Sequence, residues 1–222
     1  MKVLVVCATP GEAVIEGLDV MPVAGSVTTI PHKKHDIDLI VTGIGMVATS
    51  YYLGRQLLLN HYDLSVNIGI CGSFSIDLVG KVVIVDRDCF ADMGAEDDAV
   101  FKDVFEIGLI QENEFPFTNG WIFSDNQFQN KETVNLPEVK GITINSSSGN
   151  ENNIYKLKTR YHADVETMEG AAFFYCCRMN KIPCIQIRAV SNVIEKRNRA
   201  AWKIPEALSA LKVVINDFFN DL

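Results

Sequence analysis

The chain has 222 residues, of which 48% are hydrophobic, and a formal net charge of −8. This length and composition fit a single α/β domain that buries a full core. The basic residues form only one short cluster, at 196–199, so we expect no nucleic-acid partner, which would require a basic stripe. No apolar run reaches the roughly 18 residues of a membrane span, so we expect no membrane partner and a cytoplasmic location.

The cysteines and histidines show no metal-binding or disulfide pattern. The six cysteines lie inside apolar segments, without the CxxC or histidine-interleaved spacing of zinc sites. We therefore expect buried free thiols in a reducing cytosol, and no metal. His32 and His35 have no third ligand nearby, which favours solvated loop residues. The P-loop and the complete dinucleotide fingerprint are also missing, so we expect no cofactor.

The chain begins with a predicted buried strand, residues 2–8, followed by a turn into a helix. The strand is a continuous apolar run, as expected when both faces of a sheet are covered. Pro10 suits the first helical position, and Thr9 and Glu12 have the spacing of a capping box. Glu12 therefore has two open interpretations: it caps its own helix, or it belongs to a site beyond the strand.

Glycine segments follow the next two predicted strands. The strand at 38–42 leads into Gly43-Ile44-Gly45 and a helix over about 46–61, and the strand at 64–70 leads into Cys71-Gly72. Glycines between a strand and a helix allow a ligand to approach the backbone and the helix N-terminus.

The middle of the chain has a less regular pattern. Residues 114–136 hold several aromatic side chains among Asn, Gly and Pro, which is typical of a loop that lines a pocket or a subunit interface. The other predicted elements are a strand at 80–88, a short helix at 98–109, a strand at 139–145, a helix at 150–161 and a C-terminal amphipathic helix over about 205–219.

The stretch over residues 164–192 carries most of the polar chemistry. Acidic residues at 164, 166 and 169 precede an apolar helix, with Thr167 as the expected N-cap. Glu169 then falls in the first turn, where the helix dipole favours a carboxylate, so support of the helix and a role in a site are both open. A β-rich run ends on Ser191-Asn192. Because ligands in open α/β folds lie beyond the carboxyl ends of strands, we expect Asn192 near Glu169.

Apolar strands alternate with helices along the whole chain. The sequence contains no linker, low-complexity run or internal repeat. This pattern predicts one domain, residues 1–222, of the α/β class, with three αβα layers around a mixed, mostly parallel central sheet.

Two carboxylates and one amide stand out at the predicted strand ends and helix starts. They are Glu12, Glu169 and Asn192. Such a set suits cleavage of a glycosidic bond through an oxocarbenium-like state, in which one carboxylate activates water, the other faces the cationic sugar, and a donor receives the leaving group. It equally suits a non-catalytic site for a polyhydroxylated ligand.

These segments resemble the nucleoside phosphorylase and nucleosidase superfamily over essentially the whole chain. Residues 165–172, Val-Glu-Thr-Met-Glu-Gly-Ala-Ala, look like the family segment in which Met packs on the sugar and Glu binds its 2′- and 3′-hydroxyls. The resemblance implies these roles for Met168 and Glu169. The Ala8-to-Glu12 segment is similar to the nucleosidase loop in which a Glu orients the attacking water, which implies that role for Glu12.

Two further segments carry the same resemblance. The run Arg-Ala-Val-Ser-Asn at 188–192 looks like the family segment R-A-(I/V)-S-D, whose final residue contacts the purine, which implies base contacts for Ser191 and Asn192. The glycine segments match the two glycine loops of the family, so the Cys71-Gly72 backbone is expected to line the base. The family's base-stacking Phe has no counterpart here, which leaves Phe74 or the aromatics at 115–128.

Residue 192 and the cluster after it narrow the implied substrate. Adenine-releasing relatives carry Asp where this chain has Asn192, whereas an amide can donate to a 6-oxopurine. Residues 191–202 resemble futalosine hydrolase, the menaquinone-pathway member, whose substrate ends in a benzoate. Lys196, Arg197 or Arg199 would meet that carboxylate, unless these charges are simply solvated. The resemblance implies hydrolysis of futalosine, a small-molecule purine nucleoside, to hypoxanthine and dehypoxanthinyl futalosine.

Other interpretations stay open. They are a methylthioadenosine/S-adenosylhomocysteine nucleosidase that tolerates Asn192, a purine nucleoside-binding protein without turnover, and a phosphorylase. The last is disfavoured because Glu12 would repel a phosphate about 4 Å away by about 4 kcal/mol at an effective dielectric near 20. The aromatic loop and the family resemblance imply a homodimer or a higher homo-oligomer.

Overall fold

Most of the apolar runs form strands of one large sheet. The computed structural model describes residues 1–98, 100–125, 128, 130–131, 133 and 135–222. Its strands are β1 Lys2–Cys7, β2 Val27–Ile30, β3 Asp36–Val41, β4 Leu64–Ser73, β5 Val82–Asp88, β6 Gly94–Asp97, β7 Val100–Asp103, β8 Ile122–Phe123, β9 Glu138–Thr143, β10 Val165–Thr167 and β11 Cys184–Val193. Its helices are α1 Met46–Leu59, α2 Glu151–Tyr161, α3 Gly170–Met179 and α4 Ile204–Asp221.

The large sheet is mixed, and part of it closes on itself. Parallel pairings join β3 to β1, β1 to β4, β4 to β11, β5 to β9 and β9 to β10. Antiparallel pairings join β11 to β5 and β10 to β4. Strands β4, β11, β5, β9 and β10 therefore form a closed ring, from which β1, β3 and β2 extend as an open sheet.

Helices cover both faces of the sheet, which explains the continuous apolar strands. Alternate residues of β1 and β4 pack with Leu211, Ile215 and Phe218 of α4. The other set packs with α1 and α3, through side chains such as Leu53 and Phe173. The α/β class and the mixed sheet agree with the sequence-based prediction. The ring was not predicted, because β10 is only three residues long and its partner β4 is distant in sequence.

Three local predictions were wrong. The helix predicted at 98–109 is instead strand β7 and a turn, since Asp98 has a left-handed φ of 55° and the Asp103 carboxylate accepts the Phe105 and Glu106 N–H groups. The helix predicted after Thr9 is only a three-residue 3₁₀ turn, Pro10–Glu12. His35 is half-buried and stacks on His32, with ring centroids 5.2 Å apart, rather than being solvated. Residue 99, and residues 126, 127, 129, 132 and 134 of the predicted aromatic loop, lie outside the described residues.

The thiol prediction was correct. All six cysteines are free and buried, as expected from their apolar surroundings. Among the described helices, none has the length and apolar content required to cross a bilayer.

Candidate active site

Glu12 lies in the turn that follows β1 and uses its two oxygens for different purposes. Its Oε2 accepts hydrogen bonds from the Thr9 N–H (2.9 Å) and the Thr9 hydroxyl (2.8 Å). Its Oε1 accepts a hydrogen bond from the Ile70 N–H of β4 (3.0 Å). The capping interaction therefore exists, but it occupies one oxygen only. The other oxygen is held against the carboxyl half of β4.

Arg188 of β11 is the buried cation of the site. A Cβ on Gly69 would stand 2.6 Å from Glu12 Oε1 and closer still to Arg188 Nη1, so the two groups meet across this glycine. Arg188 Nε donates to Gln186 Oε1 (2.9 Å) and Nη2 donates to Asn67 Oδ1. Its Nη1 has no partner within the described part of the chain. A buried, unpaired guanidinium N–H is costly, so it favours binding of an added oxygen acceptor next to Glu12.

Sequence reasoning did not select Arg188 as a site residue. The signal was present, since Arg188 interrupts an apolar run that is otherwise typical of a covered strand. A fully buried arginine requires hydrogen-bonding partners on several sides, and one of those partners, Asn67, comes from a strand that is distant in sequence.

Glu169 is the residue before the first turn of α3, and its carboxylate points away from the helix. The predictions of Thr167 as N-cap and of Glu169 in the first turn were wrong, since the N-cap residue of α3 is Glu169. The hydroxyl of Thr167, the last residue of β10, nevertheless accepts the Gly170 N–H (3.1 Å). Glu169 Oε1 instead accepts the N–H of Gly45 (2.8 Å). Gly45 has a φ of 91°, a conformation that favours glycine and aims this N–H at the carboxylate.

The charges of Arg188 and Glu12 both influence the pKa of Glu169. Burial raises the pKa of Glu169, while the Arg188 guanidinium and the Gly45 N–H oppose that rise and the Glu12 carboxylate adds to it. The structure thus brings Glu12, Arg188 and Glu169 into one buried site, beyond the end of β1 and beside the carboxyl half of β4.

A bulge in β11 sets the position of Ser191 and Asn192. Val190 pairs with Cys71 and Asn192 pairs with Gly72, so Ser191 is the extra residue. The Ser191 hydroxyl lies 2.8 Å from Asn192 Oδ1 and 3.2 Å from the Cys71 carbonyl oxygen. Asn192 Nδ2 donates to the Val193 carbonyl (2.8 Å), which uses one of its two N–H donors. The second donor of this half-buried amide is left for a ligand.

Of the other predicted site residues, Gly72 lies next to this amide. A Cβ on Gly72 would stand 2.8 Å from Ile194 Cγ1 and 3.4 Å from Asn192 Nδ2, so the glycine allows both side chains to approach β4 closely. Met168 is half-buried between β10 and α3. Arg197 is exposed, and its guanidinium lies 5.9 Å from the Trp202 ring. The Lys203 N–H donates to the Ser191 carbonyl (2.8 Å). This bond brings the end of the segment that contains Arg197 back to β11. Arg197 is therefore at the rim rather than in the buried site.

Asp88 of β5 supports the site through hydrogen bonds. It is fully buried, and it accepts hydrogen bonds from Thr143 (2.9 Å) and Gln186 Nε2 (3.2 Å). Gln186 in turn accepts from Arg188, and the Thr143 hydroxyl accepts the Ala171 N–H at the start of α3 (2.7 Å). Burial raises the pKa of Asp88 to about 7, against the effect of these hydrogen bonds. Asp88 thus holds both the arginine and the helix that follows Glu169.

Asp88→Asn should change how stability depends on pH. Between pH 4 and 7 the folded wild type retains the Asp88 proton, whereas the unfolded chain, with its ordinary pKa of 3.8, releases it. Raising the pH across this range therefore lowers the wild-type unfolding free energy by up to about 4 kcal/mol. The variant lacks this loss, so urea unfolding should show it gaining stability relative to wild type as the pH rises. The exposed Asp77→Asn is the control, and a pH-independent difference for Asp88→Asn would contradict the assignment.

Comparison with known proteins places the chain in a family. Futalosine hydrolase of Acidothermus cellulolyticus is 26% identical over 224 residues, covering 95% of this chain and 86% of that protein. A 5′-methylthioadenosine/S-adenosylhomocysteine nucleosidase of Buchnera aphidicola is 26% identical over 192 residues, covering 84% of this chain and 79% of that protein. The solved structure of a Streptococcus pneumoniae MTA/SAH nucleosidase in complex with 8-aminoadenine has a TM-score of 0.80 at 23% identity and covers 100% of both chains. The family model of the phosphorylase superfamily matches residues 2–220, and the chain therefore belongs to this superfamily.

Proposed function

We propose that this protein is a nucleosidase that hydrolyses the N-glycosidic bond of a 6-oxopurine nucleoside, with futalosine as the substrate and hypoxanthine as the freed base. The observation that carries the proposal is that Glu12 and Arg188 flank Gly69, that the buried Glu169 interacts electrostatically with both, and that Gly69 is close along β4 to the Gly72–Asn192 pair. The futalosine hydrolase relative supports this substrate, and the nucleosidase relatives support the reaction type.

Glu12 is the proposed general base. Its Oε1 is already fixed by the Ile70 N–H and lies beside the unpaired Arg188 Nη1. A water held between these two groups would donate one proton to the carboxylate and accept a hydrogen bond from the guanidinium. Attack of its oxygen on C1′ forms the new C–O bond while the C1′–N9 bond breaks and its electron pair leaves with the base.

Glu169 is the proposed sugar-binding acid. It is buried next to the Arg188 charge, and a carboxylate there would accept hydrogen bonds from the ribose 2′- and 3′-hydroxyls. The same negative charge stabilises the oxocarbenium-like state as positive charge develops on the sugar. Met168 would shield that sugar from bulk water.

Asn192 is the proposed contact for the leaving base. Its free Nδ2 donor would hydrogen-bond purine N7 and so stabilise the electron pair that the base takes away. An amide cannot transfer a proton, so the departing base is protonated by water. Gly72 and the Cys71 backbone would line the space for the ring.

Water is the better nucleophile than phosphate in this site. Glu12 and Glu169 are both buried next to the proposed reaction centre, and only Arg188 opposes their charge among the described residues there. These two carboxylates would repel a phosphate dianion by an energy on the order of several kcal/mol. This balance supports a hydrolase over a phosphorylase.

We also propose a homo-oligomer in the cytoplasm. Helix α1 carries a row of exposed apolar side chains, with Val47 at 80%, Tyr51 at 62% and Leu58 at 79% exposure, and such a face supports pairing with a second copy. The buried free cysteines support a reducing compartment.

The proposal predicts which base is released. Incubation with futalosine, aminofutalosine, inosine and methylthioadenosine should free hypoxanthine from futalosine fastest, without a requirement for phosphate. Asn192→Asp should raise adenine release from methylthioadenosine above the wild-type rate by about tenfold or more, because an acid at this position can protonate N7 of the departing base. Chromatography of the freed bases measures both results. Faster adenine release by the wild type would instead indicate a methylthioadenosine/S-adenosylhomocysteine nucleosidase, and binding without release would indicate a non-catalytic protein.

A further inference from the structure

The orientation of Arg188 depends on two buried side-chain amides. Its Nε donates to Gln186 Oε1 (2.9 Å), and its Nη2 donates to Asn67 Oδ1. Its Nη1, which has no partner among the described residues, lies beside Glu12. The guanidinium is a rigid planar fork, so fixing two of its nitrogens also fixes the direction of the third. The two amides therefore determine where Nη1 lies relative to the Glu12 carboxylate.

Each amide requires a second contact that keeps its oxygen toward the arginine. An arginine N–H can only donate, so a flipped amide would place its NH₂ group against another donor. For Asn67 the second contact comes from the main chain, since its Nδ2 donates to the Val6 carbonyl of β1 (2.9 Å). For Gln186 it comes from a side chain, since its Nε2 donates to Asp88 Oδ2 (3.2 Å). Asp88 therefore sets the orientation of the Gln186 amide.

Two glycines make room for the Asp88–Gln186 pair. A Cβ on Gly170 would stand 2.8 Å from Gln186 Nε2, and closer still to Gln186 Oε1 and Asp88 Oδ2. A Cβ on Gly141 of β9 would stand 2.8 Å from Asp88 Oδ2. Gly170 is the first residue of α3 and follows Glu169 directly. The same pair therefore holds the arginine and packs against the backbone next to the proposed sugar-binding acid.

Stability alone does not account for these buried polar groups. Asp88, Gln186 and Arg188 have no exposed surface, and the last two interrupt an apolar run in β11. Burying an acid, an amide and a guanidinium carries a desolvation cost, and apolar side chains of similar volume often give equal or greater stability. A role in orienting Arg188 explains why polar residues stand at these positions.

We infer that Gln186 and Asp88 are positioning residues for the proposed reaction: Asp88 orients the Gln186 amide, and this amide holds the guanidinium so that Nη1 faces the water next to Glu12. The inference rests on the proposed function, since that water is the proposed nucleophile. It implies an effect on the chemical step and not on binding of the nucleoside, because neither residue is proposed to touch the substrate.

The first test is Gln186→Met, which keeps a long unbranched side chain and removes the acceptor for Arg188 Nε. Its kcat for base release should fall by about 100-fold, the effect of a displacement of about 1 Å in catalytic geometry, while the Kd of a non-hydrolysable nucleoside should change by less than about threefold. An unchanged kcat would overturn the inference, and so would a loss of nucleoside affinity as large as the loss of kcat.

The control for this substitution is Tyr62→Phe. It removes another buried hydrogen bond, from the Tyr62 hydroxyl to Asp38 Oδ2 (2.8 Å), which involves none of the site residues. This variant should unfold at a lower urea concentration than the wild type and keep the wild-type kcat. Loss of a buried hydrogen bond is thereby separated from loss of the Arg188 orientation.

The second test exchanges the acid and the amide. In Asp88→Asn/Gln186→Glu, the carboxylate at position 186 accepts the Arg188 Nε–H and the NH₂ group at position 88 donates to that carboxylate. The oxygen at position 88 still accepts the Thr143 hydroxyl. All the hydrogen bonds are thus kept, with donor and acceptor reversed between the two positions, so kcat should lie within about tenfold of the wild type. A double variant as slow as Gln186→Met would overturn the inference.

An NMR measurement separates this inference from the proposed function. The Arg188 Nε–H should be protected from exchange with water in the wild type and in the double variant, and it should exchange at least about tenfold faster in Gln186→Met, where it has lost its acceptor. Arg188→Lys identifies the signal by removing it. A wild type that shows this pattern but releases no base from any nucleoside would contradict the proposed function alone. An active wild type whose Arg188 signal stays equally protected in Gln186→Met would contradict the inference alone.

Discussion

Glu12→Gln should lower the rate of base release by about a thousand-fold, because an amide cannot accept the proton of the attacking water. Binding of the substrate should change much less, since Glu12 is proposed to act on water and not on the nucleoside. Single-turnover rates and calorimetric binding of a non-hydrolysable nucleoside would measure the two effects separately.

The stability of this variant should fall only modestly. Both Glu12 oxygens accept N–H groups, so the NH₂ group of the substituted glutamine would face a donor at one of the two positions, at a cost of about 1–2 kcal/mol. Thr9→Val is the matched control: it removes the hydroxyl bond to Oε2 and leaves the carboxylate in place. It should lose about 1 kcal/mol of stability and retain most of the activity. Full activity in Glu12→Gln would mean that Glu12 serves only as a cap.

Gly69→Ala should reduce kcat/KM by about 100-fold or more, although it adds a single methyl group. That methyl would overlap the space of Arg188 Nη1 and stand 2.6 Å from Glu12 Oε1. Arg188 cannot easily yield because Gln186 and Asn67 hold its other nitrogens, so the carboxylate must move. A displacement of about 1 Å in catalytic geometry has an effect of this size.

The control for this substitution is Gly54→Ala in α1, where a Cβ would meet nothing within 4 Å. It should keep full activity and gain about 0.5–1 kcal/mol of stability, since alanine is the better helix former. Overpacking at Gly69 should instead cost about 1–3 kcal/mol. Unchanged activity in Gly69→Ala would show that the Glu12–Arg188 arrangement does not limit the reaction.

The sequence predicted those elements whose patterns are local. The apolar strands, the helices α1, α2 and α4, and the position of Glu12 after the first strand all follow from runs of neighbouring residues. Asn150 caps α2 by accepting the Asn153 N–H, which is the expected behaviour of this residue type. Glu169 was expected near the start of a helix, and its hydrogen bond to Gly45, 124 residues away, was not foreseen.

The features that sequence reasoning missed depend on contacts between distant segments. The bulge at Ser191 appears only when β11 is aligned with β4, and the burial of Arg188 and Asp88 depends on a network that crosses β4, β5, β9 and β11. Glu166 was counted as one of three acids before a helix. Its position opposite Asn192 follows from the pairing of β10 with β4. A strand of only three residues has no sequence pattern from which this pairing could be predicted.

The closed ring has a mechanical consequence. Because β10 is hydrogen-bonded on both sides, detaching it requires two ladders to open together, and local unfolding there is correspondingly rare. The strand carries Glu166 and ends two residues before Glu169, whose carboxylate accepts the Gly45 N–H, so this rigid strand fixes the positions of both acids. Ligands must then enter and leave through the surrounding loops, because the ring of strands does not open.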